Sequence, residues 1–175
     1  MKIKLFFLSF TLLLTLNSCI DVNEEFVNVR NKVIKNFDDD YKSEVQFSLG
    51  SVGITVSSWM VNTSDNDELA SDILADVSSI QVGVYQKLKG SSTLDISTLH
   101  DIEKNMLESG WKSIVMSSED NDLSAVYVRK NPNEILNRLF IINYDGEELV
   151  LIEIEGDLKE AVSTVIREKG MKINI

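Results

Sequence analysis

Hydrophobic positions along the chain switch between a helical and a strand period, and the switches divide it into elements. Phe26, Val29, Val33 and Phe37 recur at spacings of four, three and four, which predicts one face of a helix. The acidic run Asp38, Asp39 and Asp40 falls at the negative end of that helix's dipole, so the helix is expected to stop there. From Glu44 the period is two. Val45, Phe47 and Leu49 share a face and predict a strand, Gly50 and Gly53 interrupt it, and the apolar segment that follows to Val61 is read as a short helix. Ser64 or Asp65 then caps a helix that carries Asp67 and Glu68 in its first turn and Leu69, Ile73 and Val77 four apart. Ile80, Val82 and Val84 alternate again, as a strand ending near Leu88.

The second half repeats the contrast. Leu99, Ile102 and Met106 form the buried face of a helix that is expected to end at Gly110. Four strands follow in quick succession, Trp111 to Ser117, Leu123 to Lys130, Glu134 to Tyr144 and Glu147 to Glu155, joined by the turn sequences Asp120-Asn121-Asp122, Asn131-Pro132-Asn133 and Asp145-Gly146. Connections this short require antiparallel neighbours, because a parallel crossover needs a dozen residues or more. Leu139 to Ile142 and Leu149 to Ile152 are apolar on both faces and are expected to be central strands. Asp157 and Glu160 open a last helix with Leu158, Ala161, Val162, Val165 and Ile166 on its apolar side, ending at Gly170, and Met171, Ile173 and Ile175 alternate in the tail. The predicted fold class is α+β: an antiparallel sheet made of a C-terminal four-strand meander plus one or two earlier strands, covered by helices.

The N-terminal segment has a different character. Lys2 and Lys4 precede an apolar core from Leu5 to Leu16, then Ser18 and Cys19, the only cysteine of the chain. Twelve residues fall short of the ~20 needed to span a bilayer, and the pattern reads as a secretory signal. Leu16-Asn17-Ser18-Cys19 resembles a bacterial lipobox. That resemblance implies diacylglycerol and further acylation on Cys19, with residues 1–18 removed, 19–40 a lipidated tether with an amphipathic helix, and 44–175 a single α+β domain. Ile20 stands where an aspartate would favour inner-membrane retention in enteric bacteria, so the expected address is the outer membrane of a Gram-negative envelope. The apolar stripe from Phe26 to Phe37 either docks a partner, lies on the membrane or packs on its own domain, the last being favoured.

Signal removal leaves 157 residues, enough for one domain that buries roughly 70% of the surface its unfolded chain exposes. It also takes the formal charge from −11 to −13, since Lys2 and Lys4 are lost. A surface that acidic repels phosphates, so nucleic acid is not expected as a partner. With Cys19 committed to lipid, the domain has no disulfide and rests on packing alone.

Candidate chemistry is sparse. The single histidine, His100, lies at the edge of an apolar stripe and reads as a surface residue. Ser109-Gly110-Trp111-Lys112 matches a Ser-x-x-Lys spacing, but it straddles the end of a predicted helix where that pair works from a helix start. Asp65 to Glu68 and Glu119 to Asp122 are rich in oxygen ligands yet lack the glycine and terminal glutamate of a calcium loop, and zinc lacks a ligand set. No phosphate-binding glycine loop is present, so no metal and no cofactor are expected. Glu148, Glu153 and Glu155 alternate around a central strand; Glu153 can point inward, though an exposed or strand-edge place is the favoured reading.

The arrangement is similar to an uncharacterised family of small bacterial lipoproteins known as domain of unknown function 4252. The residues that carry the likeness are the lipobox at Cys19, Ile80-Gln81-Val82-Gly83-Val84-Tyr85, Gly110-Trp111, and Leu151 to Leu158. The resemblance implies an α+β domain on a lipid anchor and brings no activity, substrate or catalytic residue with it. The expected function is therefore a non-catalytic binding or scaffolding domain, joined to the membrane through Cys19 and engaging an envelope protein. The alternative is an envelope hydrolase that uses carboxylates or a metal held by Asp and Glu.

Overall fold

The computed structural model describes residues 21–37, 40–51, 76–89, 94–133 and 135–159. Along them run α1 (Glu24–Lys35), β1 (Asp40–Gly50), β2 (Val77–Lys89), α2 (Ile96–Glu108), β3 (Lys112–Glu119), β4 (Asp122–Lys130), β5 (Leu136–Tyr144) and β6 (Glu148–Gly156). The six strands form one sheet in the order β1-β2-β6-β5-β4-β3, with every pair antiparallel. The chain is thus α+β, with β3 to β6 as the C-terminal meander, β2 added along β6 and β1 along β2. The doubly apolar β5 and β6 take the two central places, where side chains on either face are shielded from water.

Local chemistry accounts for the element ends. Asn23 caps α1 by accepting the Phe26 N–H at 2.8 Å, and Asp95 caps α2 by accepting the Thr98 N–H at 2.7 Å. The first helix stops at Asn36, ahead of the acidic run, with Lys32 and Lys35 in its last turn where cations suit the dipole. The second ends at Ser109, and Gly110 follows at φ 82°, a backbone conformation that costs glycine nothing. The Asp145 carboxylate closes the β5–β6 turn by accepting the Glu147 and Glu148 N–H groups.

One core cluster joins α1, α2 and one side of the sheet. It contains Phe26, Val29, Val33 and Phe37, then Ile102 and Met106, Trp111, and the strand residues Tyr85, Leu123, Ala125, Tyr127, Phe140, Ile142, Tyr144, Leu149 and Leu151. Phe140 is its hub: the Phe26 ring lies 5.9 Å away and the Trp111 ring 5.5 Å away in an edge-to-face arrangement. The apolar stripe of α1 is therefore spent inside its own domain. The other side of the sheet is apolar as well, with Val77, Val128, Leu136 and Leu158 in a second cluster that Leu49, Ile80, Leu139 and Ile154 adjoin.

Two sequence expectations are corrected. Val77, read as the end of a helix, opens β2, where it is 7% exposed. The second concerns Glu153 and belongs to the site. In β2, the strand expected from Ile80, Val82 and Val84, those three are only partly buried, and the opposite register, Gln81, Gly83 and Tyr85, is the buried one. Cys19, the helices expected over 53–61 and from Asp65, most of the helix expected after Asp157, and the tail strand lie outside the described residues.

Candidate functional site

Strand parity places charge inside this molecule. On β6, Leu149, Leu151 and Glu153 share one face, and it is the face that α1 shares a core with. Arg138 shares its face with Phe140 and Ile142 on β5, and Arg129 with Ala125 and Tyr127 on β4. The register puts Phe140 opposite Glu153, Arg138 opposite Glu155, and Arg129 directly opposite Arg138. Three charged residues thus end the inward-facing rows together, and Glu153, favoured as exposed from sequence, is 1% exposed instead.

Two like charges directly opposite in a sheet repel. Glu25, in the first turn of α1, resolves this by bridging both guanidinium groups, Oε1 to Arg129 and Oε2 to Arg138. Arg138 also donates from Nη1 to Glu153 Oε1 at 3.1 Å and from Nη2 to Glu155 Oε1 at 3.3 Å. Arg129 lies over the Trp111 ring, 4.8 Å from its centre, where the face of the indole attracts a cation. On the β2 side, Gln81 is 1% exposed, sits opposite Glu153, and accepts the Asn23 N–H at 2.7 Å through its side-chain oxygen. The start of α1 is therefore gripped from β2, β4 and β5 at once.

The electrostatics of the carboxylates diverge. Burial pushes Glu153 up to about 7, a shift that the nearby Arg138 opposes and that the negative Glu25 reinforces. Burial also acts on Glu25, but the hydrogen bonds from Arg129 and Arg138 outweigh it and hold that carboxyl below its ordinary value. Two guanidinium groups shared among three acids cannot neutralise all of them, and the deepest one takes a proton most readily. Its second oxygen, Oε2, has no hydrogen-bond partner among the described residues, and neither do the Trp111 Nε1 and the Tyr127 hydroxyl. The arrangement can hold and release a proton near neutrality, and it can hold α1 on the sheet.

The residues singled out from sequence do not converge on it. His100 is exposed on α2. Ser109 donates its hydroxyl to the Asn105 carbonyl and accepts from Lys32 Nζ at 2.7 Å, while Lys112 is exposed on β3, so no activated serine results. The Glu119 to Asp122 segment is the β3–β4 turn, with Asp120 at φ 52° and the Asn121 side chain accepting the Leu94 N–H. Among the described residues no three His, Cys, Asp or Glu side chains gather as a metal site would require, and Asp65 to Glu68 lie outside those residues. Sequence reading missed Glu25, Gln81, Arg129 and Arg138. The signal that was present is parity, since each of the three strand residues continues a row of buried apolar positions.

No curated protein matches the chain. No solved structure matches it either. The sheet with its C-terminal meander, the β2 segment Gln81-Val82-Gly83-Val84-Tyr85 and the segment from Leu151 to Leu158 all fall within residues 20–162, which match one family as a whole, and the chain belongs to that family, the domain of unknown function DUF4252.

Proposed function

We propose that the protein is a lipid-anchored cell-envelope domain that binds or scaffolds another envelope protein. In this reading Cys19 bears the lipid, residues 1–18 are removed, and an acidic domain whose sheet is covered by helices stands at the outer membrane of a Gram-negative bacterium. The observation that carries it is where the folded body begins. Val22 is 8% exposed and Asn23 is bonded to Gln81, so only Ile20 and Asp21 separate Cys19 from the core. Three residue steps reach about 10 Å when fully extended. A domain mounted that closely has no stalk and works on what lies beside it in the membrane.

The chemistry of the buried cluster supports a non-catalytic role. A general acid must reach its substrate, and the Glu153 carboxyl is enclosed in the core with one oxygen engaged by Arg138. The raised proton affinity of Glu153 is the single feature that favours the hydrolase reading, and that reading requires α1 to move aside.

Crosslinking in intact cells followed by mass spectrometry, comparing the native chain with Cys19→Ala, tests the proposal. The expected result is an envelope protein enriched with the native chain and lost with the variant, together with loss of labelled palmitate and of membrane sedimentation. Palmitate incorporation that survives in Cys19→Ala overturns the anchor, and a native chain that enriches no partner overturns the scaffold.

A further inference from the structure

Two arginines, Arg129 and Arg138, serve three carboxylates, Glu25, Glu153 and Glu155. With every group ionised the cluster carries one uncompensated negative charge among the described residues. A proton on one carboxylate removes it, and burial selects the site: Glu153 is 1% exposed, against 38% for the Glu25 side chain and 33% for that of Glu155. Oε1 of Glu153 is engaged by Arg138, which leaves the unpartnered Oε2 to carry the proton.

The geometry then couples that proton to the helix. Arg138 Nη1 donates through its two N–H bonds to Glu25 on α1 and to Glu153 on β6, so one cation holds the two carboxylates side by side. When Glu153 is neutral, the charge of Arg138 is left to Glu25 and the helix is held. When Glu153 ionises, its negative charge stands beside that of Glu25, the two repel, and the hold on the helix weakens. The charged groups facing Glu153 among the described residues are Glu25 from α1, Arg129 from β4, Arg138 from β5 and Glu155 from its own strand, and β2 presents the neutral Gln81. Of the three carboxylates, Glu153 is the one that burial drives toward its neutral form.

We propose that Glu25, Arg138 and Glu153 form a proton-operated latch, in which protonated Glu153 is the closed state and ionised Glu153 loosens the first turn of α1 from the sheet. This goes beyond the binding role and does not depend on the lipid. Where the anchor is present, an open latch lengthens the tether by the residues it frees.

The test uses the full chain in detergent micelles between pH 5.5 and 8.5, with two readouts. The first is the infrared band of a protonated carboxyl group, assigned by its absence in Glu153→Gln. The second is hydrogen exchange of the segment from Val22 to Val29, corrected for the intrinsic pH dependence of exchange. The band is expected to disappear with a midpoint near pH 7. Protection of the segment is expected to fall about tenfold over the same range, the change that one pH unit of coupling produces, while Glu153→Gln stays protected throughout. If that variant fails to fold, coincident midpoints of band and protection in the native chain support the latch. A missing acid band at pH 5.5, or protection that does not change with pH, overturns it.

Discussion

Glu153→Gln keeps the shape of a buried carboxyl and removes its titration, and the native domain is expected to lose a pH dependence of stability as a result. Burial raises the folded-state value to about 7 from an ordinary 4.5, and the unfolded chain returns the group to water. Below pH 4.5 both states hold the proton. Between 4.5 and 7 only the folded state holds it, so unfolding releases a proton and stability falls as pH rises. Above 7 neither state holds it and the loss is complete. At about 1.36 kcal/mol per pH unit, a separation of about 2.5 units corresponds to ~3 kcal/mol. That is a large fraction of the roughly 5–15 kcal/mol that stabilises a domain. Urea denaturation at pH 5, 6, 7 and 8 reads it directly. The native midpoint is expected to decline between pH 5 and 7 and then level, whereas Glu153→Gln shows no such decline. The difference between the two curves isolates the effect. Glu25, Asp95 and Asp145 are held below their ordinary values, so their contributions have the opposite sign and are lost only as pH falls further. Parallel profiles for native and variant from pH 5 to 8 would refute the reasoning.

Three further outcomes follow from the packing and the network. Arg138→Leu leaves the buried Glu153 beside the partly exposed Glu25 without their shared cation, and is expected to cost about 3–5 kcal/mol at pH 8. It is expected to cost less at pH 5, where Glu153 takes up a proton, and denaturation at the two pH values checks the difference. Phe26→Ala removes a fully buried ring that touches Phe140, with an expected loss of about 3–5 kcal/mol in chemical denaturation; a loss under 1 kcal/mol would mean that α1 is not part of the core. At Gly156 an added Cβ would lie 2.1 Å from the Asp76 carbonyl oxygen and 2.8 Å from the Val77 Cα, both backbone atoms. Gly156→Ala is therefore expected to destabilise by about 1–3 kcal/mol and to lower the melting temperature, whereas the same change at Gly50, where a Cβ meets nothing within 4 Å, should be close to neutral.

The elements themselves were legible because their cause is local. Alternation over Leu123 to Lys130 and the turn chemistry of Asp145-Gly146 act within a few residues, and both strands and turn occur where the pattern places them. The spacing of Phe26, Val29, Val33 and Phe37 predicts α1 for the same reason, while the exact end at Asn36 depends on capping and on Lys32 and Lys35 in the last turn. Where β2 begins was misread, because Val77 fits a helical spacing and a strand equally well and pairing with Gly156 across the sheet decides between them.

By itself, then, the sequence determined the α+β class, the four-strand meander with its two central strands, and the apolar face of α1, since periodicity and turn propensity are properties of short segments. Only the tertiary structure decided which face of β2 is buried and where the charges meet. Ile80, Val82 and Val84 outrank Gln81 in hydrophobicity, yet Gln81 is the buried one, because α1 begins over that face and supplies the Asn23 N–H that its side chain accepts. Glu25, Arg129, Arg138 and Glu153 are separated by as many as 128 residues from first to last. No local pattern relates them, and the strand order and the docking of one helix brought them within hydrogen-bond reach.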